Sequence, residues 1–149
     1  MDRTLVIIKP DAVQRGLTGR IVSRLEDRGL RILTLRMIRM TQTLAKSLYA
    51  VHEGKGFYPG LISYMTSSPV VLMVVEGRRA VDVVRKTMGA TDPLEAVPGS
   101  IRGDWGLEIG RNLIHGSDSQ ENAAREIGIF FEGKDLLKYN REVERWVFE

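Results

Sequence analysis

Short unbroken apolar blocks alternate along this chain with stretches in which apolar residues return every three or four positions, and that rhythm predicts its elements. Leu5 to Ile8 are all apolar, the pattern of a strand buried on both faces, and the block ends at Lys9-Pro10-Asp11. Ile21, Val22 and Leu25 share one helical face, and Gly29 ends that helix. Leu33, Leu35 and Met37 alternate with Thr34 and Arg36, the period of two that turns one face of a strand toward water. Leu44, Ala45, Leu48 and Tyr49 share a face of a second helix, capped by Thr41 or Thr43.

Leu61 to Met65 predicts a short helix and Val70 to Val75 a second fully buried strand. Ala80, Val81, Val84 and Met88 fill one face of a helix ended by Gly89, with Arg85 outside that stripe and near the carboxyl end. A short apolar run reaching His115 precedes a last helix with Ala123, Ala124 and Ile127. The order is β-α-β-α-β-α-β-α, with no internal repeat, linker or low-complexity segment. It predicts a single domain over residues 1–149, either α/β or α+β; pattern alone does not choose.

Two stretches lack periodicity. From His52 the chain runs through Gly54, Gly56, Pro59 and Gly60 around Phe57 and Tyr58. His52-Glu53 begins like a zinc helix but has no second histidine, and the glycine spacing misses the dinucleotide pattern by one residue. No Walker-type phosphate loop occurs anywhere. The second stretch, Gly89 to Asn112, holds two prolines and five glycines; a loop of that length in a compact domain is usually functional or disordered, and Ile101 and Trp105 argue against disorder. The tail ends in Trp146-Val147-Phe148-Glu149, apolar enough to be expected to pack on the domain or on a neighbouring subunit.

Composition narrows the classes. Absence of cysteine excludes disulfides and thiolate metal sites, and the longest apolar run, Val70 to Val75, is far short of the ~20 residues of a membrane helix. Met1-Asp2-Arg3-Thr4 leads almost at once into a strand, leaving no room for a signal peptide, so a cytoplasmic location is expected. A net charge of +3 from 22 basic and 19 acidic residues, interspersed, suggests a solvated surface that still accepts an anionic ligand.

The candidate chemistry centres on Asn112-Leu113-Ile114-His115-Gly116-Ser117-Asp118-Ser119, which holds one of only two histidines. Asp118 or Ser119 can cap the following helix, and Asp118-x-x-Glu121 has capping-box spacing, so the imidazole sits on a strand-to-helix corner. An imidazole, with a reference pKa of ~6.5, serves as an uncharged nucleophile or base near neutral pH. Gly116 allows close backbone approach to a ligand and Ser117 brings a hydroxyl beside the ring. Lys9 at a strand end, Arg85 at a helix end and Arg102 in the glycine-rich stretch, with Thr91, Asn112 and His115, can build one anion site.

These residues stand within a resemblance that covers nearly the whole chain. Ile8-Lys9-Pro10-Asp11-Ala12-Val13-Gln14-Arg15-Gly16-Leu17, Tyr58-Pro59-Gly60-Leu61 and Ser68-Pro69-Val70-Val71 open the series. Met88-Gly89-Ala90-Thr91-Asp92-Pro93, Pro98-Gly99-Ser100-Ile101-Arg102-Gly103-Asp104 and Gly110-Arg111-Asn112-Leu113-Ile114-His115-Gly116-Ser117-Asp118-Ser119 complete it. Together these ordered motifs resemble the nucleoside diphosphate kinase family.

The resemblance implies an α+β, ferredoxin-like fold with a central four-stranded antiparallel sheet covered by helices. It also implies transfer of a γ-phosphoryl group from a nucleoside triphosphate to a nucleoside diphosphate through a phosphohistidine at His115, formed on Nδ1. By family similarity Lys9, Arg85, Arg102 and Thr91 meet the phosphates, Asn112 and Lys9 hold the ribose hydroxyls, and Tyr49 lies near the histidine. Glu126 would orient Ser117 and the imidazole. Phe57, with Leu61 and Ile109 behind it, would stack on the base; every base has a π-face, so low base selectivity is expected. No dedicated metal site is expected, Mg²⁺ arriving on the nucleotide phosphates. Gly56 departs from the family's usual proline, and Tyr58 and Trp105 from its phenylalanines. The long tail resembles that of hexameric members, which favours a hexamer over a tetramer and makes Glu149 a candidate for a neighbour's base site.

Two other classes compete with an enzyme. A nucleic-acid-binding or regulatory module would use the same basic residues on phosphates and Phe57 and Trp105 on bases, with steep salt dependence and no covalent intermediate. A scaffold that only binds nucleotides would have no use for the full set of Lys9, Arg85, Arg102, Asn112 and His115.

Overall fold

The architecture follows from two strands that are apolar on both faces. In a computed structural model describing residues 1–149, β1 (Asp2–Ile8) and β3 (Val70–Gly77) are the central strands of a four-stranded sheet of order β2-β3-β1-β4, with β2 at Arg31–Ile38 and β4 at Ile114–Gly116. Every neighbouring pair is antiparallel. Because successive side chains alternate, β1 and β3 supply two cores at once. Val6, Ile8, Val71 and Met73 pack on one side with α2 (Thr18–Asp27) and α5 (Ala80–Met88). Leu5, Ile7, Leu72 and Val74 pack on the other with α3 (Gln42–Leu48) and α4 (Tyr58–Met65). Helix α7 (Gln120–Phe130) lies on that second side, where Ile127 packs against the same core. This is the expected four-stranded antiparallel α+β arrangement.

Three local expectations are corrected. On β2, Leu33 is buried but Leu35 and Met37 are 50% and 58% exposed. The register shifts between Ile32 and Thr34, and one irregular residue moves everything beyond it to the other face. Next, Lys9-Pro10-Asp11 ends the strand but also starts a helix, α1 (Pro10–Gln14), with proline at its first position, where a missing N–H costs nothing.

The stretch from Gly89 to Asn112 is not a continuous loop. It contains α6 (Ile101–Trp105), capped by Ser100 Oγ accepting from Gly103 N–H at 3.0 Å, and a short 3₁₀ turn over Ile109–Arg111. Gly103 is required there, since a Cβ would stand 2.0 Å from the Val97 carbonyl oxygen.

The tail runs along the outer edge of β2. Leu137 N–H donates to Leu33 O at 3.1 Å, Tyr139 hydroxyl to Ile32 O at 2.5 Å, and Arg141 to Gly29 O at 2.9 Å. Short helix α8 (Glu144–Val147) follows, with Trp146 79% exposed, and Glu149 O accepts from Arg78 at 3.0 Å. No helix is long and apolar enough to cross a membrane.

Candidate active site

His115 occupies the middle of β4, opposite Ile7 of β1, and therefore faces the α3–α7 side of the sheet. Its Nε2 lies 2.5 Å from Glu126 Oε1 on α7. The same carboxylate oxygen accepts the Ser117 hydroxyl at 3.1 Å, with Ser117 and Glu126 both buried. A carboxylate only accepts, so Nε2 carries the proton and Nδ1 keeps its lone pair. Tyr49, at the end of α3, meets the imidazole edge-on with centroids 6.1 Å apart. The Tyr49 hydroxyl is buried without a partner, and burial followed by the nearby Glu126 charge pushes its ionisation well above the usual tyrosine range.

The corner that presents His115 is held by residues from three parts of the chain. Leu113 has φ of 76°, left-handed backbone that a branched residue adopts only at a cost of ~1–3 kcal/mol. Its N–H donates to Asp11 Oδ2 at 3.1 Å and its carbonyl accepts from Lys9 N–H at 2.9 Å. Asp11 is itself fixed by the Tyr64 hydroxyl. Arg102 donates to the carbonyls on either side of Leu113, Asn112 O at 3.1 Å and Ile114 O at 2.6 Å, and also to Gly89 O at 3.2 Å. Gly116 lines the cavity and also serves close packing: a Cβ would stand 2.5 Å from Met88 Sδ and 2.9 Å from Val84 Cγ1, so glycine lets β4 lie against α5.

The cations converge as the sequence suggests. Lys9 Nζ donates to Asn112 Oδ1 at 2.8 Å, and Asn112 Nδ2 donates to Thr91 O at 3.0 Å. Burial, with Arg102 next in weight, pushes the Lys9 ammonium down to about 8 although Asp11 partly offsets this. Burial and Arg85 lower Arg102 to about 10. Arg85 is exposed and loosely held, donating once to Gly116 O at 3.2 Å. A site that lowers the proton affinity of its own cations is short of negative charge, which a polyphosphate supplies.

All of this opens on one cavity of about 610 Å³, lined by Lys9, Tyr49, Leu61, Arg85, Thr91, Arg102, Asn112, His115 and Glu126 among others. Ser117 is buried behind Glu126, while Phe57 and Ile109 lie outside the lining, 56% and 59% exposed. Met88, Asp118, Asn122, Arg125 and His52 also line the cavity and were not expected from the sequence. Of the two expected caps Ser119 is the one used, and the Asp118–Glu121 box does not form. Ser119 Oγ caps α7, accepting from Asn122 N–H at 3.1 Å, and Asp118 accepts from Asn122 Nδ2 at 2.5 Å instead of forming a box with Glu121. No group of three or more histidine and carboxylate side chains is gathered to hold a metal ion.

Comparison with known proteins agrees with this geometry. The family profile described as nucleoside diphosphate kinase matches residues 2–136. A nucleoside diphosphate kinase of Pelotomaculum thermopropionicum is 55% identical over 149 residues, all of both chains. One from Archaeoglobus fulgidus is 48% identical, covering 100% of this chain and 99% of its own. Among solved structures, a halophilic nucleoside diphosphate kinase from Halobacterium salinarum in complex with CDP superposes with a TM-score of 0.96 at 49% identity, covering 99% of each chain. The chain belongs to the nucleoside diphosphate kinase family.

Proposed function

We propose that this chain, acting as one domain over residues 1–149, moves the γ-phosphoryl group of a nucleoside triphosphate to a nucleoside diphosphate in two steps through His115, with low base selectivity. The observation that carries this reading is the contact between Nε2 of His115 and Glu126, which leaves Nδ1 as the lone pair in a cavity lined by Lys9, Arg85 and Arg102. In the first step Nδ1 attacks the γ-phosphorus and the bond to the β–γ bridging oxygen breaks, releasing a nucleoside diphosphate that keeps that oxygen. In the second, a β-phosphate oxygen of another diphosphate attacks the same phosphorus and the P–N bond breaks, restoring the imidazole.

Phosphoryl transfer asks for alignment and positive charge around three equatorial oxygens, and the residues supply both. Glu126 fixes the ring tautomer and stabilises the positive charge that develops on it, and Ser117 keeps that carboxylate in place. Arg85, Arg102 and Lys9 meet the phosphate oxygens together with Thr91, in a partly dry cavity where fixed charge acts strongly. Asn112, tied to Lys9, holds the ribose hydroxyls. Phe57 stacks on the base, with Leu61 and Ile109 beside it, and a stacking contact accepts any base. The unpartnered Tyr49 hydroxyl stands beside the ring as a donor for the phosphoryl group.

The residues present suit a magnesium ion carried on the nucleotide rather than one held by the protein. Of the carboxylates lining the cavity, Glu126 is engaged by His115 and Ser117, and Asp118 is exposed. Such an ion would neutralise phosphate charge and fix the phosphate chain.

Assembly into a homo-oligomer, a hexamer in preference to a tetramer, is part of the proposal. Large apolar side chains stand exposed at Leu35, Met37, Leu94, Leu107 and Trp146, surface available to a subunit contact. Light scattering of the purified protein reads the mass directly.

The test of the reaction is to mix protein with γ-labelled ATP and quench. An acid-labile, base-stable label on protein, discharged by any nucleoside diphosphate and missing in His115→Ala, is expected. Equal labelling of the wild type and the variant would overturn the assignment.

A further inference from the structure

Phe57 sits on a loop with little stiffness of its own. Gly54, with φ of 88°, Gly56 and Gly60 surround it, and more than half of its side chain is exposed. Chain made of such residues widens the ensemble of open conformations, so a ring meant to meet a ligand there needs a side-chain support. His52 provides one. Its imidazole meets the Phe57 ring edge-on, with centroids 5.2 Å apart and planes at 64°. On its other side it stacks on Tyr49 at 6.2 Å and 23°, and Tyr49 is buried in the core.

Two further contacts fix the imidazole. Lys55 Nζ lies 3.1 Å from His52 Nδ1 and 5.8 Å from the centre of the Phe57 ring. An ammonium only donates, so Nδ1 accepts and the ring proton is on Nε2. Burial, and then the charge of Lys55, lower the pKa of His52, which keeps the neutral, accepting form near neutral pH. The backbone is held at both ends of the turn: His52 N–H donates to Tyr49 O at 2.9 Å and Lys55 N–H to His52 O at 3.1 Å.

We propose that His52 is a positioning residue for Phe57, transmitting the rigidity of the Tyr49 end of α3 to the ring that stacks on the nucleotide base. The inference rests on the reading of Phe57 as the base platform. In a loop with glycine at positions 54, 56 and 60 the aromatic contact does the work of a stiff backbone. That gives a second handle. Tyr58 N–H donates to Lys55 O at 3.0 Å, closing a turn with Gly56 in its second position and Phe57, at φ −79° and ψ −10°, in its third. This is type I geometry, which favours proline in the second position. Gly56 N–H donates to no backbone carbonyl, and nothing lies within 4 Å of a Cβ built there. Gly56→Pro should therefore stiffen the same loop without His52.

The experiment measures KM and kcat for ATP in the wild type, His52→Ala, His52→Phe, Phe57→Ala and the double variant His52→Ala with Gly56→Pro. An aromatic pair corresponds to roughly a two- to tenfold effect, so His52→Ala should raise KM by that factor and leave kcat at saturation within about twofold. His52→Phe, which keeps the ring edge, and the double variant should restore KM. His52→Gln, which keeps the acceptor for Lys55 without a ring, should behave like His52→Ala and covers the case in which the alanine variant folds poorly. If Phe57→Ala raises KM and His52→Ala does not, the positioning role is wrong and the base platform stands. If His52→Ala lowers kcat at unchanged KM, the residue acts through Tyr49 on the chemistry, and the proposal is also wrong. If Phe57→Ala itself leaves KM unchanged, the base-platform reading falls and the inference falls with it.

Discussion

Glu126 Oε1 stands 2.5 Å from Nε2 of His115, joining a residue of α7 to the middle of the edge strand β4. The contact decides which nitrogen is free, so changing it should alter chemistry more than affinity. Glu126→Ala releases the ring and leaves the buried Ser117 hydroxyl without its acceptor. Glu126→Gln offers an amide that can donate to Nε2 and so place the proton on the wrong nitrogen. Both should slow phosphoenzyme formation by roughly 10²- to 10⁴-fold in a single-turnover quench, with the Kd for ADP nearly unchanged. A loss confined to Kd would show that Glu126 holds the nucleotide rather than the histidine.

Lys9 makes the site sensitive to alkali. With its ammonium lowered to about 8, the free enzyme loses one of the three cations proposed to meet phosphate as pH rises through that value. kcat/KM should fall on an alkaline limb near pH 8, and ADP binding between about pH 8 and 9 should take up a proton, read by calorimetry in buffers of different ionisation enthalpy. Lys9→Gln should abolish both effects. The sign for stability is opposite. Below about 8 Lys9 is protonated folded and unfolded and the cost of its burial is felt in full. Between about 8 and 10 only the unfolded chain keeps the proton, so this group's contribution to stability rises with pH until tyrosine ionisation reverses it. An alkaline limb that persists in Lys9→Gln would place the titration elsewhere.

The two arginines should separate in a melting experiment. Arg102 is buried and spends three donors on carbonyls, two of them on either side of Leu113, whereas Arg85 is exposed with one bond of 3.2 Å. Arg102→Ala removes hydrogen bonds to three carbonyls, of which Asn112 O keeps the Ile114 N–H at 2.9 Å, and should cost about 2–4 kcal/mol of stability besides activity. Arg85→Ala should cost under about 0.5 kcal/mol of stability and still lower kcat/KM on the order of 10²-fold. Denaturant melts beside steady-state rates check this, and equal destabilisation would contradict the division.

Legibility in the sequence tracked how local the determining physics was. The unbroken apolar runs of β1 and β3 announced the buried strands, and the stripe of α5 put Arg85 outside its buried face. Lys9, Arg85, Arg102, Asn112 and His115 were identifiable from their motifs, and the structure gathers them on one cavity. What composition and period could not reveal was set by tertiary contact. The register shift beside Leu33 depends on pairing with β3, and α6 is hidden by Gly103, present because Val97 lies against it. Leu113, a residue with strong aversion to positive φ, keeps it through Asp11, Lys9 and Arg102, none of them within ten residues of it. Exposed Phe57 and Ile109 sit beyond the cavity lining, so their part in binding rests on the proposal.

The claim on which the account turns is that Nδ1 of His115 carries the phosphoryl group while Nε2 stays with Glu126. Phosphorus NMR of the phosphoenzyme, made with excess ATP and unfolded in alkali, distinguishes the two imidazole isomers by chemical shift. A single Nδ1-phosphohistidine resonance that disappears on adding a nucleoside diphosphate before unfolding is the predicted result. A resonance from the Nε2 isomer, or no phosphohistidine resonance at full turnover, would contradict it.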